Sequence, residues 1–335
     1  MDNAVIQKYK SSYTAAGKDL LIHTLITGSS YYLVWYFQNS ILSILTIPLL
    51  SLLFVRTFII FHDCGHNSYT PSKTVNTILG SLLSSVVVTP YSWNFVHATH
   101  HVASGRMNNE YGFAHMDVLA TFNQYKQMTI AKRLLIKCIF SPYVLFPFVS
   151  NFLFMIYNRI YILNFLLVKC MNTPSLSYLM FDQLLHNFGI GLIMFTYYYY
   201  GILPHCLVAT AVSSILGTLL FFNQHTYNTP YIVDNDTWTM RESGLKGSSF
   251  IQIPWYLKYF TGGIEYHHIH HYNTKIPGYN LQALHEEVVQ TSDTFDTVVK
   301  LSMSDCYKNM WLSIYDEDAK RYITFAEADK RIESK

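Results

Sequence analysis

The sequence is 335 residues long; 50% of the residues are hydrophobic, and only 13% are charged. This composition, with its positive mean hydropathy, leaves too little polar surface for a water-soluble domain and indicates a membrane protein. The net charge is only +2 and no basic run is interleaved with aromatic residues, so no nucleic-acid partner is predicted. The five cysteines show no paired spacing, which argues against a disulfide framework or a zinc ribbon.

Four apolar stretches are long enough to cross the ~30 Å hydrocarbon core of a bilayer as helices. They are residues 20–38, 41–61, 181–200 and 202–222. The connector within each pair is so short that each pair is predicted to form a helical hairpin. Segments 75–88 and 134–157 are predicted to lie at the membrane interface, because the first is short and the second is interrupted by prolines.

The positive charges indicate how these spans are oriented. Both predicted hairpin tips lack Lys and Arg, so all 23 basic residues fall on the other face, which the positive-inside rule assigns to the cytosol. Both termini and the cap and tail at 223–335 are expected on this cytosolic face. The sequence thus predicts one all-α integral membrane domain over residues 1–335, with four transmembrane helices as two hairpins and a cytosolic helical cap.

Histidine is concentrated in three short motifs, which contain nine of the fifteen histidines. The motifs are HDCGH at 62–66, HATHH at 97–101 and HHIHH at 267–271. Helical residues three and four apart share a face, so eight of these side chains have ligand spacing and His268 does not. His225, just after the fourth span, is a ninth candidate. The predicted metal ligands are His62, His66, His97, His100, His101, His225, His267, His270 and His271.

Imidazole is a common ligand of iron, zinc, copper and nickel. Eight or nine imidazoles are too many for one ion, whereas two ions with four or five nitrogens each would use them all. Because the topology brings every motif to the same face, the sequence predicts a centre of two metal ions there.

At these motifs the chain resembles the membrane fatty acid desaturase family, especially its acyl-lipid Δ12 (ω6) and ω3 branches. The resemblance covers most of the chain. It is carried by FHDCGHNSY at 61–69, HATHH at 97–101 with SGRMN shortly after, NQHTYN at 223–228, GLKGSSF at 244–250 and TGGIEYHHIHHYNTKIPGYNLQ at 261–282.

The resemblance implies that the eight motif histidines bind two irons and that His225 is the additional ligand. It further implies that O2 is a co-substrate reduced to water while an acyl chain of a lipid loses two hydrogens. No His-Pro-Gly-Gly haem motif occurs in the sequence, so electrons are expected from a separate cytochrome b5 or ferredoxin. No catalytic residue beyond the metal ligands is predicted.

Polar residues beside the motifs are predicted to orient the imidazoles through hydrogen bonds. They are Asp63, Asn67, Asn94, Asn223 and Glu265. Trp93 is expected to anchor the chain at the membrane interface, and Asp182 and His186 to form a pair near a helix end.

Three alternatives to a desaturase stay open. A di-iron lipid hydroxylase and a carotenoid-type oxidase would share the histidines, whereas a histidine-rich metal transporter would need polar ligands within its spans. The sequence leaves the double-bond position, the acyl carrier, the electron donor and the particular membrane undetermined.

Overall fold

The computed structural model describes residues 3–107, 119–167, 170 and 172–334. Asn108, the last residue of the SGRMN segment, lies outside the described residues. The described chain is mostly helical, with a few short strands toward its C-terminal end. Two pairs of consecutive long helices are each joined by a short connection, and shorter segments make up the rest of the described chain.

The helices, in chain order, are α1 (Asn3–Lys8), α2 (Tyr13–Phe37), α3 (Ser43–Gly65), α4 (Lys73–Val86), α5 (Trp93–Ala103), α6 (Phe122–Gln127), α7 (Ile130–Ile139), α8 (Pro142–Val144), α9 (Asn164–Leu167), α10 (Leu176–Tyr199), α11 (Leu203–His225), α12 (Met240–Lys246), α13 (Lys258–Thr261), α14 (His267–Tyr272), α15 (Gly278–Thr291), α16 (Met303–Asn309) and α17 (Phe325–Glu333). The strands are β1 (Ala120–Thr121), β2 (Phe250–Ile251), β3 (Lys300–Leu301), β4 (Leu312–Asp316) and β5 (Arg321–Thr324).

Three segments of the described chain have the length and apolar composition to cross a membrane: α3, Pro142–Leu163 and α11. Two of them correspond to the predicted spans 41–61 and 202–222. The other two predicted spans, 20–38 and 181–200, form α2 and α10, which are 25 and 24 residues long but less apolar. The structure therefore confirms a helical protein with membrane-length helices, while the count of four spans remains a prediction.

The segment Pro142–Leu163 was predicted to lie mostly at the interface, and its backbone is irregular. After α8 it forms π-helical turns at Leu145–Val149 and Phe152–Ile156 and a 3₁₀ helix at Tyr157–Leu163, with non-helical angles at Ile160. Such breaks are frequent where proline removes backbone hydrogen bonds. This stretch is long enough to cross a membrane, but it is not one straight helix.

The two hairpins meet at their tips. Val34 of α2 and Leu50 of α3 share one buried apolar cluster with Ile202 and Cys206 at the start of the second hairpin. The Gln38 side chain lies against the positive-φ glycine that turns the chain between α10 and α11. This apolar contact holds the two helix pairs side by side, and His62 and His225 lie at the ends of α3 and α11 that are away from it.

The cap differs from the predicted all-α arrangement. In it β1 pairs in parallel with β4, β4 pairs antiparallel with β5, and β2 pairs in parallel with β3. Tyr125, Ile314, Ile323 and Ala328 form a small core under the three-stranded sheet. The tail was predicted to be amphipathic helix and surface; it contains those helices together with a β-hairpin, so the all-α prediction is corrected to mostly helical.

Candidate metal centre

The three motifs and His225 lie on four helices. His62 is in the last turn of α3 and His66 immediately follows that helix, while α5 carries the second motif and α14 the third. His225 is the last residue of α11. The structure thus brings all nine predicted ligands, which come from four helices far apart in the sequence, to one buried region.

Five of these histidines form a first group, in which each offers one ring nitrogen within 4.8 Å of the others. They are His62, His66, His97, His101 and His270. The Nε2 atom of His97 lies 2.9 Å from that of His62 and 3.1 Å from that of His101. Two nitrogen ligands at right angles about one ion, each with a bond of about 2.1 Å, are about 3.0 Å apart. The first group therefore has the spacing of a shared metal site.

The remaining histidines form a second group. His100, His225 and His271 also offer ring nitrogens within 4.8 Å of one another. The Nε2 atoms of His100 and His225 are 3.1 Å apart, and the Nε2 atom of His267 is 3.0 Å from that of His225. His267 therefore adjoins this second group of three through His225.

The electrostatics of the centre favour neutral rings. Burial, followed by the proximity of other histidines, lowers the pKa of six imidazoles well below 6.5: His66, His97, His101, His267, His270 and His271. Neutral imidazole is the form that binds metal. The Nε2 atoms of His66 and His271 are buried without a hydrogen-bond partner among the described residues. Since such atoms are costly to bury, the residues fit a bound metal.

Asp63 holds the first motif against the third. Its Oδ1 atom lies 3.1 Å from His62 Nδ1, and its Oδ2 atom accepts a hydrogen bond of 2.6 Å from the backbone N–H of Gly278. A carboxylate against the second ring nitrogen fixes the orientation of a histidine and leaves its Nε2 free to bind metal. The predicted orienting role of Asp63 is thus matched by a direct contact.

The other four predicted orienting residues have different neighbours. Asn67 adopts a left-handed backbone conformation with φ of 55° where the chain leaves α3, and Asn94 packs against the glycine of the first motif. Asn223 donates its side-chain N–H to a carbonyl one turn earlier in α11, and Glu265 accepts from a threonine hydroxyl. These contacts shape the backbone around the centre, and an effect of these four residues on the imidazoles remains a prediction.

His268 points away from the centre. Its Nε2 atom is 3.2 Å from Nδ1 of His285, and its ring packs edge-on against Phe295. It lies on the opposite side of α14 from the ligand candidates, in agreement with its spacing in the motif.

Two residues near the centre have roles that the sequence did not predict. Trp93 was expected at the membrane interface, but its ring stacks on His97, with centroids 4.4 Å apart and an interplanar angle of 13°. Asp182 was expected to pair with His186; instead its Oδ2 atom accepts a hydrogen bond of 2.8 Å from the backbone N–H of Ser92. The stacking of Trp93 could be predicted from the sequence, because residues four apart on a helix share a face. The Asp182 contact could not be predicted in this way, because it joins residues 90 positions apart.

The structure thus buries nine imidazoles together in a chain that has membrane-length helices, and the ring nitrogens form a centre suited to metal binding. The family model for fatty acid desaturases matches residues 39–300, which is most of the sequence. The chain therefore belongs to the fatty acid desaturase family and is an oxidoreductase, as its motifs predict.

Individual relatives agree with this assignment. The chain is 28% identical over 328 residues to a fatty acid desaturase of Bacillus subtilis (strain 168), covering 92% of this chain and 86% of that protein. It is 40% identical over 57 residues to a Delta(12) fatty acid desaturase of Mortierella alpina, covering 17% and 14% of the two chains. An sn-1 acyl-lipid omega-3 desaturase (ferredoxin) of Nostoc sp. (strain 36) is 29% identical over 111 residues, covering 33% and 30%.

Proposed function

We propose that the protein introduces a double bond into the acyl chain of a lipid, with Δ12 (ω6)-like regiochemistry, using two iron ions and O2. The observation that carries this proposal is the convergence of two buried imidazole groups from four helices that are far apart in the sequence. Relatives named as Delta(12) and omega-3 desaturases support the substrate class. A metal transporter is not supported, because the histidines lie at helix ends rather than along the spans.

In this proposal His62, His66, His97, His101 and His270 hold one iron. The other iron is held by His100, His225, His267 and His271. The irons would supply the oxidising power that no side chain has toward an unactivated methylene group. The chain's own residues bind and orient: Asp63 fixes the ring of His62, Trp93 supports His97, and the burial of the whole cluster excludes water from it.

The proposed membrane topology has four spans. Asn280 of α15 donates a hydrogen bond of 2.8 Å to the carbonyl of Tyr9, and Glu287 forms an ion pair with Lys8. These contacts put the chain before α2 on the same side as the third motif, where α3 also ends. If Tyr9 and His62 lie on the same side of the membrane, the chain between them crosses it an even number of times. Because α2 and α3 are the two long helices between these residues, α2 crosses the membrane if α3 does.

The same reasoning applies to the second hairpin. Nε2 of His101, on α5, lies 3.1 Å from Nε2 of His270, on α14, so an even number of crossings separates these two helices. α10 and α11 supply two crossings, and a third crossing by Pro142–Leu163 would break this parity. Its irregular backbone and the interfacial position predicted from its prolines agree with this conclusion. We therefore keep the segment on one side of the membrane.

The orientation follows from charge. Neither hairpin tip contains Lys or Arg, whereas basic residues are spread through the segments around the histidine centre. The positive-inside rule then places the centre, both termini and the cap in the cytosol. Electrons would come from a separate cytochrome b5 or ferredoxin, in line with omega-3 relatives that are named for each donor.

The test is expression in a yeast that makes only monounsaturated fatty acids, with an added electron donor. Fatty acids would be profiled by gas chromatography with double-bond localisation. We expect a diene from the wild type and from His268→Ala, the matched control, and none from His100→Ala. A hydroxylated product would replace this proposal with a lipid hydroxylase, and no product with intact iron content would exclude acyl desaturation.

A further inference from the structure

Helix α7 has two faces with different surroundings. One face packs on the C-terminal module, which consists of β1, β4, β5, α6 and α17. There Ile136 joins the module's apolar core, and Lys137 donates a hydrogen bond of 2.5 Å to Asp329. α7 therefore contacts this module through Ile136 and Lys137.

The side of α7 that faces away from Ile136, called here the outer face, is apolar and exposed. It consists of Ile130, Leu134, Leu135 and Cys138, which lie within about 140° of one another around the helix at 100° per residue. The exposed fractions are 69% for Ile130, 58% for Leu134 and 59% for Leu135. Such a contiguous apolar stripe on a short surface helix marks an interaction surface.

The neighbouring chain indicates what covers this face. Two residues after α7 the chain enters Pro142–Leu163, which is apolar enough to cross a membrane and exposes Tyr143 by 72% and Phe148 by 68%. Tyr143 also packs edge-on against Trp311, with ring centroids 5.5 Å apart. Tyrosine and tryptophan concentrate where the hydrocarbon core meets water. The outer face is thus continuous with a second exposed apolar surface.

The charges beside the outer face fit a phospholipid surface. Lys126, near the end of α6, and Lys132, at the border of the outer face, are both exposed. Basic side chains flanking an apolar stripe are typical of helices that lie in the membrane plane, where they meet anionic head groups. A phospholipid surface can therefore bury the apolar stripe among its acyl chains and pair its anionic head groups with the two lysines.

We propose that α7 lies in the plane of the cytosolic leaflet, with its outer face in the acyl-chain boundary, and anchors the C-terminal module to the membrane. The module in turn reaches the metal centre: Asn228, three residues after His225, donates a hydrogen bond of 3.0 Å to the Tyr322 carbonyl and accepts one of 2.7 Å from its N–H. The anchor would thus hold in place the chain that leaves His225. This role goes beyond desaturation, and its test needs no catalytic turnover.

Cys138 provides a natural reporter, because it is exposed while the other four cysteines are buried. The full chain in phospholipid nanodiscs would be labelled there with an environment-sensitive fluorophore. We expect blue-shifted emission, strong quenching by lipids with a spin label near the head group, and weak quenching by aqueous iodide. The matched control is Asp318→Cys in a Cys138→Ser background, on the exposed turn between β4 and β5, and we expect the opposite quenching pattern from it.

A second measurement avoids a fluorophore. Leu134→Glu combined with Leu135→Glu should increase amide hydrogen exchange in residues 312–333 several-fold in nanodiscs, whereas Gln127→Glu, which adds one acid outside the outer face, should not. Equal iodide quenching of both labelled sites, or unchanged exchange in the double variant, would overturn the proposal. Efficient Cys138–Cys138 cross-linking between copies would also overturn it, in favour of a dimer contact.

Discussion

The contact between Asp182 and Ser92 gives the sharpest test of how the second motif is positioned. α5 carries His97, His100 and His101, yet the Ser92 side chain does not cap its N-terminus. The cap comes from Asp182 on α10, whose carboxylate accepts the Ser92 N–H at 2.8 Å. A negative charge at a helix N-terminus is stabilising, so we expect Asp182→Ala to loosen the start of α5.

The size of this effect follows from burial. Ser92 and Asp182 are both buried, so the alanine variant leaves a buried backbone N–H without a partner, which costs about 1–3 kcal/mol. We take ~2 kcal/mol as the loss in the free energy of unfolding. For a chain of this size the midpoint of thermal unfolding would fall by roughly 3 °C. Asp182→Asn keeps an acceptor oxygen and should recover about half of the loss.

The assay is thermal unfolding in detergent micelles, combined with iron per chain and hydrogen exchange in residues 90–103. Leu184→Ala is the matched control, since it lies on the same helix and faces outward. Asp182→Ala should lower the midpoint and speed exchange at the start of α5, and Asp182→Asn should lie between it and wild type. If Asp182→Ala and Leu184→Ala behave alike in both measurements, the carboxylate does not position α5 and the reasoning fails.

Four further predictions concern the centre and its support. His270→Ala should lose iron, while His268→Ala should retain it, as measured by metal analysis of the purified chains. Asp63→Ala should weaken iron binding by roughly 10–100-fold, as measured by chelator competition, because His62 loses its orienting partner. Arg56→Leu should destabilise the chain by about 3 kcal/mol in thermal unfolding, because it leaves the largely buried Asp19 carboxylate without its cationic partner and with only the Tyr69 hydroxyl as a donor among the described residues. Burial lowers the pKa of the motif imidazoles in the metal-free folded chain. Below about pH 6.5 the unfolded chain therefore binds more protons than the folded chain does. The free energy of unfolding of the metal-free chain should fall as the pH drops from about 7.5 to 5, and it should change little above about pH 7.5.

The positions of the long helices and of the histidines were predictable because each has a strong local signal. Apolar stretches of membrane length predict α3 and α11 directly, and spacings of three and four residues predict which histidines share a face. His268 was separated from its neighbours by spacing alone. These are short-range patterns that do not depend on how distant segments pack.

The features that the sequence did not reveal depend on long-range contacts. The strands β1, β4 and β5 are two to five residues long, so the alternation of apolar residues within each is too brief to read. Asp182 reaches Ser92 only because α10 packs beside the turn before α5. The stacking of Trp93 on His97 could have been expected from helical spacing, yet the same spacing also suits an interface anchor.

The centre is held together by contacts that do not involve metal. Lys275 donates a hydrogen bond of 2.8 Å to the carbonyl of His66, and Gly278 donates its N–H to Asp63, so two bonds join the end of α3 to the chain that follows α14. Both bonds lie beside the imidazoles rather than among them. They therefore keep the first and third motifs in contact whether or not the ring nitrogens bind a metal ion. The histidines would then need little movement to receive metal, because packing and backbone hydrogen bonds already fix their separation.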